Sequence, residues 1–460
     1  MVDRKIRLDQ RTPASGEPAA ARYTLPHPRV TLVERCLLFI PIVMLPLQDS
    51  FPSVAGMSSS FLLFAALAAY VIVYRLRTLE AIWHHPVFIA AYACFIVSAL
   101  LELSSPLPEF HQPKRFAEMI GGMVCVAVIC RDRSALTAGL YGYIATALWV
   151  TVSLYLTGYE ALQGMDAGDF TQAEKLRDQA FGAKSLGANL NQLAFVCAQG
   201  ALVAFALCLS DKWKHLRVRW LGITAFCFFG TFLTMSRGAA LTILVGGAII
   251  FYTRGVRYGK ELMIAAVLGV TVYMLVPDAV WSRMAFSTAV GESGKMEARA
   301  RLYTLALDRL PQYIAFGVGA GNYSKKWAFE NGFAKTKTSP GGGSLSMQLY
   351  AAHNILIQVT IYWGILGLST FLLIVWCVYR SIPLQCGRDD LSLALLGIIV
   401  SLGLHLFHGT DFSDKGHAFG IGMLVGARRW IWPAGIVSVG QVSRHPSSAD
   451  IGSGTEWRSG

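Results

Sequence analysis

The sequence predicts an all-α membrane protein with about 12 transmembrane helices and one long outer loop containing short helices. Three observations predict it. Apolar residues make up 54% of the 460 positions and charged residues only 15%, where a soluble chain carries about 25% charge. Apolar runs near the ~20 residues that cross a bilayer recur along the chain. Lysine and arginine gather in alternate connecting segments, the bias that sets the orientation of a multi-pass protein.

Residues 1–30 open the chain with a polar tail carrying Arg4, Lys5, Arg7, Arg11, Arg22 and Arg29. The tail has no apolar h-region and no small-residue cleavage site, so it reads as a disordered cytoplasmic tail and not a removable signal peptide. Residues 31–276 hold helices 1–9, with spans at 31–48, 57–74, 87–104, 117–130, 134–157, 190–209, 219–235, 239–253 and 262–277. Residues 277–348 are the long outer loop. Residues 349–433 hold helices 10–12, at 350–378, 391–409 and 417–433. The Ser/Gly-rich stretch 434–460 reads as a second disordered cytoplasmic tail.

With both tails inside, the inner segments hold 24 of the 40 lysines and arginines and the short outer segments hold 7. The long loop is exempt from the rule. The net charge of +12 therefore serves orientation, and it does not call for nucleic acid. All nine cysteines fall in spans or inner loops, and none forms a CxxC pair. That argues against a disulfide framework or a thiolate metal site.

Some cations lie on the outer side against this bias: Arg237, Arg301 and the pair Lys114–Arg115. A cation kept where topology does not favour it is a candidate anion site, and a snorkelling or salt-bridged residue is the plainer alternative. Arg237 lies in TMSRGA, the tightest outer turn. Arg301 lies in MEARARLYTLALDRL, 296–310, where Leu302, Leu305, Ala306 and Leu310 form one apolar stripe. GVGAGN follows, 317–322. Its glycines Gly319 and Gly321, with Asn322, permit close backbone approach and a phosphate cradle, although it lacks the Walker lysine position. SPGGGS, 339–344, reads as a flexible connector or lid. His353 and Asn354 begin the next span, and neutral imidazole suits proton removal near neutral pH. GANLNQLAF, 187–195, enters the sixth span, with Asn189 and Asn191 as helix caps.

The order N-x-N-x-x-A, S-R-G-A, R-L-Y…G-V-G-A-G-N and H-N-I-L-x-Q…G-I-L-G-L resembles the O-antigen ligase and polymerase superfamily over residues 187–368. The resemblance implies a GT-C-like glycosyltransferase in the bacterial inner membrane, with its active site facing the periplasm. It implies a donor glycan linked to undecaprenyl diphosphate and, for a ligase, a lipid A–core acceptor. It implies diphosphate-binding roles for Arg237 and Arg301 and a catalytic role for His353. Lys114, Arg115, Asn354, Gly319, Gly321 and Asn322 are further candidates for substrate binding. No cofactor and no metal are expected.

His405, His408, Asp411 and Asp414 recur every three residues at the outer end of the eleventh span. They read either as a divalent-cation site or as a polar helix end paired with Lys415 and His417. Within the superfamily, one dominant outer loop ending at the histidine favours a ligase. A polymerase and a protein oligosaccharyltransferase remain the alternatives. A secondary transporter fits the span count, but it would show internal repeats and midplane charges; the sequence shows no repeat, and the spans within 190–277 have no charge near their centres.

Overall fold

A computed structural model describes residues 30–44, 59–163, 190–255, 259, 263, 269, 274–276, 280, 298–338, 345–349, 354–383, 389–407, 409 and 415–432. Helices dominate them. In chain order these are α1 (Leu32–Met44), α2 (Ser59–Trp83), α3 (Pro86–Leu103), α4 (His111–Ile129), α5 (Arg133–Gln163), α6 (Leu190–Cys208), α7 (Arg217–Leu233) and α8 (Arg237–Arg254). The segment between them and the next long helix contributes α9 (Ala298–Asp308), α10 (Leu310–Tyr313) and the helical stretch 320–330, whose middle, Tyr323–Trp327, is π-helical. Strands β1 (Ala334–Thr338) and β2 (Leu345–Leu349) follow, then α11 (Ile355–Ser381), α12 (Asp390–His405) and α13 (Lys415–Trp430).

Among the described residues, six helices are long and apolar enough to cross a membrane: those at 62–83, 86–103, 133–159, 190–208, 214–233 and 355–381. The protein is thus a predominantly α-helical membrane protein. Helices also occupy the other expected spans, except 262–277, of which only residues 263, 269 and 274–276 are described, but they fall short of that length or hydropathy. Leu156, Val218, Tyr252 and Trp376 are exposed on helix outsides, as side chains facing lipid would be.

Sequence sets the helix ends. Pro86 starts α3, where its missing N–H costs nothing, and His85 Nδ1 accepts from Val87 N at 3.4 Å. Asp389 caps α12 through Ser392 N at 3.0 Å. One main core runs through α1–α6, α8 and α11–α13. Small residues bring backbones together there: a Cβ on Gly426 of α13 would lie 2.6 Å from Ala127 O of α4.

The bundle has two chemically distinct ends. At one end, Glu34 is buried and accepts from Arg75 Nε and Arg131 Nη2, each at 2.7 Å. Arg254 pairs with Asp211 at 2.6 Å and approaches Asp390 at 3.9 Å, and Arg133 pairs with Asp389. These contacts join the start of α1, the α4–α5 turn, the end of α8 and the start of α12. The opposite end carries the segment 298–349.

Three features depart from the expected pattern. Helix α2 continues past 74 and kinks at Arg75 (φ −134°, ψ 18°), where the guanidinium turns toward Glu34. The segment that follows 298 contains an antiparallel hairpin, with Thr338 paired to Leu345; SPGGGS, 339–344, lies outside the described residues. Helix α11 breaks at Gly364 (φ 59°, ψ −159°). The break lets Val318 N donate to Ile361 O at 2.8 Å, Gly319 N to Tyr362 O at 3.0 Å, and Ile365 N to Ile314 O at 2.7 Å.

Candidate functional site

Residues 298–334 build their own small core on the first turns of α11. Leu302, Ala306, Tyr313, Tyr323, Trp327 and Phe333 pack with Ile361. The apolar stripe of α9 is the face buried there, with Leu305 and Leu310 beside it. Arg301 consequently stands on the exposed face. The Tyr313 hydroxyl donates to Ala306 O at 2.6 Å, and burial pushes it up to about 12. Burial also pushes the Tyr323 hydroxyl well above the ordinary phenol range, against a smaller opposing effect of its hydrogen bond with Gln358. Both phenols stay neutral.

Arg237 opens α8 and is half-buried. The turn before it is tight: Met235 holds φ 55° and its N–H donates to Phe232 O at 2.7 Å. A non-glycine residue in that region is strained, and such strain clusters at functional turns. Ser236 gives α8 no side-chain cap. Arg237 is therefore the first residue at the positive end of a helix dipole, and that end and its own charge both favour an anion.

Packing draws other helix ends to this place. Ala239 of α8 joins Ala194, Phe195 and Ala198 of α6. Phe195 stacks on His405 with ring centroids 4.4 Å apart. His405 Nδ1 and His417 Nε2 share a hydrogen bond at 3.1 Å. His417 is buried, and its Nδ1 finds no partner among the described residues. Ile355 N donates to Leu406 O at 2.9 Å, which joins the start of α11 to the end of α12. Thus the start of α6, the Arg237 turn, the end of α12 and the starts of α11 and α13 meet at one end of the bundle.

The remaining candidates are placed as follows. Asn354 caps α11, its side chain accepting from Ile357 N at 3.2 Å. Lys114 and Arg115 are exposed on the first turn of α4. In the glycine turn, Gly319 (φ 79°) and Gly321 are buried and Asn322 is half-buried. The N–H groups of Ala320 and Gly321 donate to the buried carboxylate of Glu102, at 2.7 and 2.9 Å. His353, Asn189, His408, Asp411 and Asp414 lie outside the described residues. Among the described residues, no three metal-ligating side chains come together.

Sequence reasoning did not single out Glu102, Phe195 or the tie between His405 and His417. Glu102 did leave a signal. It is a lone carboxylate ending an apolar run, ALLELSS, and ionisable residues in such runs mark functional positions. Phe195 left none, and His417 showed only as a pairing partner for the polar end of the eleventh span, because their contacts join distant helices.

Residues 220–372 match the family model described as O-antigen ligase. The match takes in Arg237, Arg301, the glycine turn, His353 and Asn354, and it leaves out Lys114, Arg115, Glu102, His405 and His417. No curated protein matches the chain.

Proposed function

We propose, on the match of residues 220–372 to the O-antigen ligase family model, that this chain is an O-antigen ligase of the O-antigen ligase and polymerase superfamily. It would transfer polymerised glycan from undecaprenyl diphosphate to lipid A–core oligosaccharide at the periplasmic face of a bacterial inner membrane. The observation that carries this reading is the relay of contacts, from Ala239 through Phe195 and the His405–Leu406 end of α12 to Ile355, that links the Arg237 turn to the start of α11 at one end of the bundle.

The fuller topology is part of the proposal. Both termini are cytoplasmic, and the spans number about 12. The chain leaves α8 at the Arg254 end and rejoins the described fold at the opposite end with α9. That supports a further crossing between them, where 262–277 is expected.

The chemistry is an inverting displacement. The acceptor hydroxyl oxygen bonds to the anomeric carbon as the bond from that carbon to the diphosphate oxygen breaks. The electron pair leaves with the lipid diphosphate. The hydroxyl proton passes to His353, and a positioned base of this kind contributes typically ~10²–10⁴-fold. Arg237 and Arg301 stabilise the charge growing on the leaving oxygen, each worth ~3 kcal/mol by comparison with similar donors. Guanidinium suits this work because its fork matches phosphate geometry. The displacement has no inherent need of a metal or a nucleotide. Lys114 and Arg115 would hold phosphates of the acceptor or the carrier.

Purified protein given labelled carrier-linked glycan is offered lipid A–core or a second carrier-linked repeat. Product on lipid A–core, abolished by His353→Ala, is expected. Elongated glycan on the carrier, with none on lipid A–core, would instead make the protein a polymerase.

A further inference from the structure

Glu102 lies at the end of α3, fully buried. Its hydrogen-bond donors among the described residues are three backbone N–H groups: Ala320 at 2.7 Å to Oε2, and Gly321 and Glu109, each at 2.9 Å to Oε1. A buried carboxylate is costly unless it is well hydrogen-bonded. An apolar residue of similar size would fill the same space but leave these three N–H groups unpaired in the interior. The charge therefore marks a requirement for a fixed anion at this place.

The place is a joint. Residues 103–110 lead into α4 and its Lys114–Arg115 pair. Residues 317–324 follow α9 and its Arg301. Glu102 accepts from both segments at once. Around it, Ser105 Oγ donates to Val318 O at 3.3 Å and Ser324 Oγ donates to Glu109 Oε2 at 3.0 Å. The surfaces interlock tightly: a Cβ on Gly321 would lie 2.2 Å from Leu107 O, and one on Gly319 would lie 2.3 Å from Ser105 Oγ. Loss of the carboxylate would leave three inward-facing N–H groups unpaired and free both segments to part.

We propose that Glu102 is a positioning residue, whose carboxylate fixes the cations of the first turn of α4 relative to Arg301 on α9. It touches no substrate. It acts by setting the separation between the segment that would hold the acceptor and the one that would hold the donor. This inference rests on the ligase reading. Misplacement of about 1 Å away from the chemistry can cost ~10²-fold, so a latch at this joint matters to rate even when the bundle stays folded.

The test uses full-length purified protein carrying Glu102→Gln and Glu102→Ala. In Glu102→Gln an NH₂ group replaces one accepting oxygen at nearly unchanged volume. Amide hydrogen exchange should rise together in 103–110 and 317–324, while thermal unfolding of the bundle changes little. Glycan transfer should fall ~10- to 10²-fold, with a raised acceptor KM. Formate or acetate should partly restore Glu102→Ala by occupying the vacated N–H groups, and should do nothing for Arg237→Ala. Wild-type kcat and KM in a folded Glu102→Gln protein would overturn the proposal, as would loss of activity that only tracks loss of fold and is not rescued by carboxylate. If the wild-type protein transfers glycan to neither acceptor, the ligase reading fails. Coupled exchange in the two segments would then establish the latch without its role in transfer.

Discussion

Gly364 shows how much one residue carries here. Its φ of 59° with ψ of −159° lies in a region essentially reserved for glycine. A Cβ there would lie 2.4 Å from Ala315 O, and the facing Gly317 is as close to the α11 backbone. Gly364→Ala should therefore cost ~1–3 kcal/mol of strain before the clash is counted. Limited proteolysis of the outer segment should quicken, and an unchanged digestion rate would refute the account. Arg237 predicts a different signature. Arg237→Ala should lower kcat ~10²–10³-fold, and Arg237→Lys should fall between Ala and wild type, because ammonium keeps the charge but loses the fork. Full activity in Arg237→Ala, measured with carrier-linked donor, would remove it from the site. At this scale the sequence was half legible. The outer cations and the glycine turn stood out by residue type, but the anion held by that turn comes from α3, more than two hundred positions away.

At the scale of elements, helices were legible because bilayer crossing demands long apolar runs, and those runs are written contiguously. The hairpin was not. AKTKT and LSMQL are short and polar, and their partners lie beyond a glycine-rich connector without a two-residue turn signal. The kink at Arg75 was hidden for a related reason, since Glu34, Arg75 and Arg131 come from three separate elements. The start of α3 makes its own prediction. Burial, with help from Arg429 and Arg428, lowers His85 to about 4 from an ordinary 6.5. Between those values the unfolded chain binds a proton that the folded one does not, so stability is full above about 6.5 and is lost as pH falls toward 4. Protonation also competes with the acceptor role of Nδ1 toward Val87 N. Thermal unfolding of the detergent-solubilised protein should show this slope, and His85→Asn, which caps without titrating, should flatten it. Identical slopes in the two proteins would exclude His85 as the source.

At the scale of the whole molecule, the charge asymmetry read from the sequence has a structural counterpart in the two ends of the bundle. One end is tied by Glu34, Arg131, Arg254 and Asp211. The other bears the glycine turn, the Arg237 turn and the imidazole pair. The described helices from α2 to α8 and from α11 to α13 run between them, and in the proposed topology membership of an end is then also a statement of side. The orientation proposed from the lysine and arginine count then makes a joint prediction for positions far apart in sequence. Lys212 and Lys326 are both exposed, at opposite ends. In a background without native cysteines, Lys326→Cys should react with a membrane-impermeant maleimide in cells whose outer membrane alone is opened. Lys212→Cys should react only after the inner membrane is breached. The reverse pattern would invert the protein and place Arg237 and Arg301 on the cytoplasmic side, away from a periplasmic donor. Reaction of both from outside would break the link between the two ends and the two sides, and with it the crossing inferred between α8 and α9.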